Sequence, residues 1–148
     1  MSSTLVSGFR HVGIIVKDMS ESLHFYRDIL GLEVIQDFTD DSDYINKIMG
    51  LEKQLIHMIK MKTCDNVGVE LLQYKNPFNS LEKLPLHNPG ICHVAFQIKN
   101  AENTYEMLSK HQFTVVSKPV LSTEKFAKVF FCIDPNNVRI ECVEIINT

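Results

Sequence analysis

Apolar residues in this chain fall into short β-branched runs separated by helix-periodic or turn-forming stretches. Phe9–Val16 predicts a buried strand with His11, Gly13 and Ile15 on one face and Val12, Ile14 and Val16 on the other, the histidine face being the roomier. Asp18, with Glu21 three residues later, signals a helix start. Met19, Leu23, Tyr26 and Leu30 then recur at helical spacing, and Gly31 closes the helix. Leu32–Phe38 reads as a second strand. Asp40-Asp41-Ser42-Asp43 opens a short helical segment, Tyr44–Met49, that Gly50 ends. Gln54–Thr63 and Val67–Tyr74 form the arms of a hairpin about Cys64-Asp65-Asn66, with Glu70 among Val69, Leu71 and Leu72 in the second arm.

This pattern then recurs. Gly90-Ile91-Cys92-His93-Val94-Ala95 repeats Gly8-Phe9-Arg10-His11-Val12-Gly13 at an offset of 82 residues, and Asp18 falls on Asn100. Ile91–Ile98 is again a strand, Ala101, Tyr105 and Leu108 take the places of Met19, Leu23 and Tyr26, and Phe113–Val116 matches the second strand. The hairpin recurs at an offset of 71, which sets Lys128–Glu141 on His57–Glu70, Pro135-Asn136-Asn137-Val138 on Cys64-Asp65-Asn66-Val67, and Glu141 on Glu70. An insertion of about ten residues in the first copy, near Asp40–Met49, explains the change of offset. Each copy therefore reads strand, helix, strand, strand, strand: a first module over about 8–74 with an insert at 40–51, a connection over 75–89 marked by Pro77, Pro85 and Pro89, and a second module over about 90–146. The expected class is α+β, and 1–148 is expected to be a single domain.

Bulk properties narrow the functional classes. With 148 residues, 45% of them hydrophobic, the chain can bury a core without disulfides or a structural metal. A net charge of −3 without long runs of one sign favours neither nucleic acid nor an anionic membrane, and no apolar run approaches membrane-spanning length. A small-molecule substrate fits better. Cys64, Cys92, Cys132 and Cys142 lack metal or redox spacing, the N-terminus lacks a secretory pattern, and a cytoplasmic protein with cysteines serving as small strand hydrophobes is expected.

The repeat singles out four residues for chemistry. Each copy carries a histidine near the start of its first strand and a glutamate near the middle of its last, His11 and Glu70, then His93 and Glu141. A carboxylate in an apolar strand is costly unless paired, hydrated or metal-bound, and here it occurs twice in register. Two imidazoles and two carboxylates make a divalent-metal site with positions left for water or substrate. His24, His57, His87 and His111 have no such partners and are expected on the surface or in loops.

The chain resembles the vicinal oxygen chelate superfamily of glyoxalase I, methylmalonyl-CoA epimerase, extradiol dioxygenases and the fosfomycin and bleomycin resistance proteins. The resemblance is carried by HVGIIVKD from His11, FYRDILGL from Phe25, VELL from Val69, GICHVAF from Gly90 and DPNNVRIE from Asp134. It implies paired βαβββ modules whose eight strands curl into an open barrel around the metal, commonly in a homodimer. His11, Glu70, His93 and Glu141 match the His-Glu-His-Glu ligand set of bacterial glyoxalase I, which implies a bound divalent metal ion (Ni, Co, Mn or Zn). The chain departs from glyoxalase I at Ile15, where an arginine usually meets the glutathione carboxylate, and in its insert. Methylmalonyl-CoA epimerases usually carry glutamine at the place of Glu70.

The leading expectation is a glyoxalase-like lyase or isomerase acting by proton abstraction α to a metal-bound carbonyl, with Glu141 or Glu70 as the catalytic base. Alternatives are an epimerase-like isomerase, an Fe(II) dioxygenase using His11, His93 and Glu141, and a resistance protein that binds an antibiotic or metabolite. The insert is open to two readings, a lid or pocket wall and a surface helix or subunit contact.

Overall fold

A computed structural model describes residues 5–6, 8–50, 53–75, 89–123 and 125–146. Most of the expected connection, with Pro77, Pro85 and His87, lies outside the described residues. The chain divides into two compact units, Met1–Phe78 and Asn79–Thr148. It is an α+β protein in which each unit builds its own open mixed sheet.

In the first unit, β1 (His11–Ile15) leads into α1 (Met19–Leu23), followed by β2 (Glu33–Asp40), α2 (Asp43–Met49), β3 (Ile56–Lys62) and β4 (Gly68–Tyr74). The sheet order is β1-β4-β3-β2, with β1 parallel to β4 and the other pairs antiparallel. The Asp18 carboxylate accepts from the Glu21 N–H at 2.8 Å and caps α1. The expected single helix changes pitch: His24–Ile29 is π-helical, and the Leu30 N–H donates to the Phe25 carbonyl five residues back. The wider turn narrows the angle between consecutive side chains, so Phe25 and Tyr26 both lie fully buried. Gly31, at φ +78°, ends the helix in the left-handed conformation that glycine adopts readily.

The two faces of this sheet differ. Ile14, Ile59, Met61, Val69 and Leu71 are buried on the face opposite His11, while Ile15, on the histidine face, is exposed. The α2 segment follows its sequence signals, with the Ser42 hydroxyl accepting from the Ile45 N–H and Gly50 left-handed at its end. Ile45 of α2 forms a cluster with Ile56 and Met58, against which Phe38, Leu72 and Tyr74 pack. Because Met58 and Leu72 alternate with Ile59 and Leu71, α2 covers one end of the histidine face of this sheet.

The second unit repeats the plan with β5 (Val94–Gln97), α3 (Ala101–Lys110), β6 (Thr114–Val115), β7 (Val120–Leu121), β8 (Ala127–Ile133) and β9 (Arg139–Ile145). The sheet order is β5-β9-β8-β6, with β7 also on β8 and β5 parallel to β9. Among the described residues nine strands stand where eight were expected, because the second strand of this copy is split. Pro119, which has no N–H to give the ladder, falls in the gap between the two pieces. Local geometry otherwise follows the repeat. The Asn100 side chain accepts from the Asn103 N–H at 2.8 Å, as Asp18 does from Glu21. Both hairpins place an asparagine at φ +65°, Asn66 and Asn137, and a side-chain oxygen of Thr63 or Asp134 accepts from the N–H four residues on. In α3 Leu108 is buried and the Tyr105 ring meets Phe130 edge-on at 6.0 Å, while Glu144 accepts from the Ala101 N–H at the helix start.

The cysteines divide into two kinds. Cys132 and Cys142 are buried strand hydrophobes, but Cys64 lies exposed in the hairpin turn and Cys92 exposed ahead of β5, so the strand-hydrophobe expectation holds for one pair only. A hydrogen bond with Cys142, reinforced by burial, pushes the Cys132 thiol far above its ordinary range. Iodoacetamide is expected to label Cys64 and Cys92 in the folded protein and Cys132 and Cys142 only after unfolding. Peptide mass spectrometry reads this directly, and equal labelling of Cys132 would contradict the packing.

Gly68 lies opposite His11 across β1 and β4, and a Cβ there would stand 3.0 Å from His11 Cβ and 3.1 Å from the Arg10 carbonyl oxygen. Backbone on one side cannot yield easily. Gly68→Ala is therefore expected to destabilise the fold by about 1–3 kcal/mol in denaturant titration, and an unchanged midpoint would show that this edge of the sheet relaxes freely.

Candidate metal centre

The parallel pairing of the first and last strands of each unit sets the geometry of the candidate residues. In the first unit Gly13 lies opposite Glu70 and His11 opposite Gly68, so His11 and Glu70 are diagonal neighbours on one face. His11 Nε2 stands 3.5 Å from Glu70 Oε2, and the glutamate side chain is only 17% exposed. In the second unit Ala95 lies opposite Glu141, the counterpart of the Gly13–Glu70 pair. His93 Nε2 stands 3.1 Å from Glu141 Oε2, whose side chain is 24% exposed. His93 precedes β5 rather than lying inside a strand from Ile91 to Ile98, because regular pairing begins only at Val94.

The structure thus brings His11 to Glu70 and His93 to Glu141. Among the described residues no three or more His, Cys, Asp or Glu side chains form a group suited to a metal, and each unit by itself supplies one His–Glu pair. The donor chemistry of each pair fits half of a divalent site. Two ligands held by one ion at roughly 2.0–2.2 Å, with about 90–110° between them, stand roughly 2.8–3.6 Å apart. Both N···O distances fall in that range, and the small residue opposite each glutamate, Gly13 or Ala95, keeps the adjoining strand from crowding it.

The surroundings of the two glutamates differ. Across the sheet from Glu70 is Lys60, whose Nζ stands 3.8 Å from Glu70 Oε1 and 5.5 Å from the Phe38 ring centroid. Across from Glu141 is Phe131, whose ring meets the His93 ring edge-on at 5.5 Å and carries the Arg139 guanidinium at 5.9 Å. On the far side of the imidazole, Cys92 Sγ lies 2.7 Å from His93 Nδ1. Lys60, Phe131, Gly68 and Cys92 are neighbours that the reading of the sequence did not single out. The signal for one of them was present, since the offset that sets Glu70 on Glu141 also sets Lys60 on Phe131. Of the other described histidines, His24 stands 3.3 Å from Asp28 on the exposed side of its helical turn, whereas His57 lies inside β3 rather than in a loop, partly buried and paired with Asp37 at 2.6 Å.

Comparison with known proteins places this arrangement. Residues 10–141 match the family model of the Glyoxalase/Bleomycin resistance protein/Dioxygenase superfamily. No curated protein sequence matches the chain. Among solved structures, a glyoxalase family protein from Bacillus cereus aligns over 99% of both chains with TM-score 0.88 and 19% identity. A glyoxylase/bleomycin resistance protein/dioxygenase domain from Frankia sp. aligns over 96% of this chain and 94% of its own, with TM-score 0.70 and 16% identity. The fosfomycin resistance protein FosX from Listeria monocytogenes, solved with Mn(II) and sulfate, aligns over 96% and 95% with TM-score 0.65 and 17% identity. Built from two register-matched copies, each with its histidine and glutamate on one sheet face, the chain belongs to the Glyoxalase/Bleomycin resistance protein/Dioxygenase superfamily.

Proposed function

We propose that this protein is a divalent-metal-dependent lyase or isomerase of the glyoxalase type, with His11, Glu70, His93 and Glu141 as metal ligands and a proton α to a carbonyl removed from a small-molecule substrate. The observation that carries this reading is the recurrence of one His–Glu pair at equivalent register, Gly13 against Glu70 and Ala95 against Glu141. The solved complex of FosX with Mn(II) supports a divalent ion in a related fold. Such an ion, when bound, supplies Lewis-acid stabilisation of the charge that develops on the substrate oxygen. Nickel, cobalt, manganese and zinc all suit the donor set. The protein is read further as a cytoplasmic homodimer, its four cysteines being free.

The unequal surroundings of the two carboxylates favour Glu141 as the base. Glu70 has a basic group towards each oxygen, His11 at Oε2 and Lys60 at Oε1. Glu141 has His93 at Oε2 and, across the strand, the ring of Phe131, on which the Arg139 guanidinium lies. With a basic side chain towards one oxygen rather than both, Glu141 is the carboxylate freer to move and take the α-proton, while Glu70 remains a fixed ligand.

Elemental analysis of protein purified without added metal, then stripped and reloaded with single metals, is expected to find one divalent ion for each set of four ligands and weaker retention in Glu70→Gln. Iron undisturbed by Glu70→Gln would replace this reading with a three-ligand dioxygenase site, detected by oxygen consumption. For the base, Glu141→Gln is expected to slow α-proton exchange of hemithioacetal or acyl-thioester substrates in D2O by about 10²–10⁴-fold while keeping most of the metal. Unchanged exchange would remove Glu141 from that role.

A further inference from the structure

We infer that Lys60 makes this site selective for anionic substrates, its ammonium taking a carboxylate or comparable oxyanion of the molecule bound at the proposed metal centre; the inference rests on the functional reading above. β3 presents two cations to the face that carries His11 and Glu70, Lys62 opposite Gly68 and Lys60 opposite Glu70. Lys62 is engaged at the sheet edge by Glu33 at 3.3 Å. Lys60 is held differently. Its 3.8 Å separation from Glu70 Oε1 is too long for a hydrogen bond, and its other contact among the described residues is the Phe38 ring, so its three donors keep capacity for a ligand.

The support beneath Lys60 is specific to the first unit. Phe38 packs on the cluster of Ile45, Ile56 and Met58, and Ile45 is supplied by α2, the insert that the second copy lacks. The chain of contacts from α2 through Phe38 thus fixes an ammonium where the repeat puts the Phe131 ring in the other unit. Lys60 is 38% exposed and so open to a ligand, and on its own row of the sheet its neighbours are Gln36 and Glu70 with Gly13 beyond, leaving low side chains on one flank. With Glu70 committed as a ligand, the nearest group able to satisfy the ammonium is an anionic part of the substrate. A charge-assisted contact there discriminates an acid from its neutral analogue.

Mn(II)-loaded wild type, Lys60→Met, Lys60→Gln and Lys60→Arg are compared for displacement of water from the ion by glycolate and by glycolamide, read by water-proton relaxation. The two probes share one oxygen-chelating skeleton and differ in charge. The glycolate-over-glycolamide preference is expected to fall by about tenfold in Lys60→Met and Lys60→Gln and to be kept in Lys60→Arg, with Mn(II) affinity at or above that of wild type in all three variants. An unchanged preference with Mn(II) retained overturns the role of Lys60 and leaves the metal reading standing. Loss of Mn(II) from Lys60→Met and Lys60→Gln but not Lys60→Arg means that Lys60 only holds Glu70, and likewise overturns it. Failure of the wild type to bind Mn(II) overturns both readings together.

Discussion

Parallel pairing of the first strand with the last is the constraint on which both units depend. With β1 parallel to β4 and β5 parallel to β9, a histidine two residues before Gly13 or Ala95 and a glutamate opposite that small residue become diagonal neighbours on one face. The opposite face is then free to take the helix and the apolar side chains. Burial of Phe25, Tyr26, Val69 and Leu71 in one unit, and of Leu108, Phe130, Ile140 and Cys142 in the other, holds that register, since a slip by one residue would turn each glutamate into the core.

Duplication gives two halves with the same donors, and divergence gives them different surroundings. Lys60 and Phe131 occupy one position of the repeat, as do Gly68 and Arg139. The first half carries a cation beside its glutamate and an added helix that supports it; the second carries an aromatic ring shared by His93 and Arg139. The insert, which as sequence could be either surface helix or pocket wall, puts Ile45 on the histidine face of its own sheet and so belongs to that face.

Much of this is legible in the amino-acid sequence. The caps Asp18, Ser42 and Asn100, the left-handed Gly31 and Gly50, and the hairpin turns at Asn66 and Asn137 are local events, decided by side-chain oxygens and φ preferences within four residues, and each lies where its residue type signals. What escaped were events that depend on distant partners. The π-helical stretch goes with the burial of both Phe25 and Tyr26, the split of the second strand in the second unit with Pro119 between its two pieces, and the exposure of Cys64 and Cys92 with where the ladders stop.

By itself the sequence determined the repeated strand and helix order and the identity of His11, Glu70, His93 and Glu141, because periodicity, capping and internal repetition are written in neighbouring residues. Only the tertiary structure decided which histidine meets which glutamate, and that Lys60 faces one carboxylate while Phe131 faces the other. Those contacts are made across strands far apart in the chain, and their geometry is set by sheet register, which no local preference encodes.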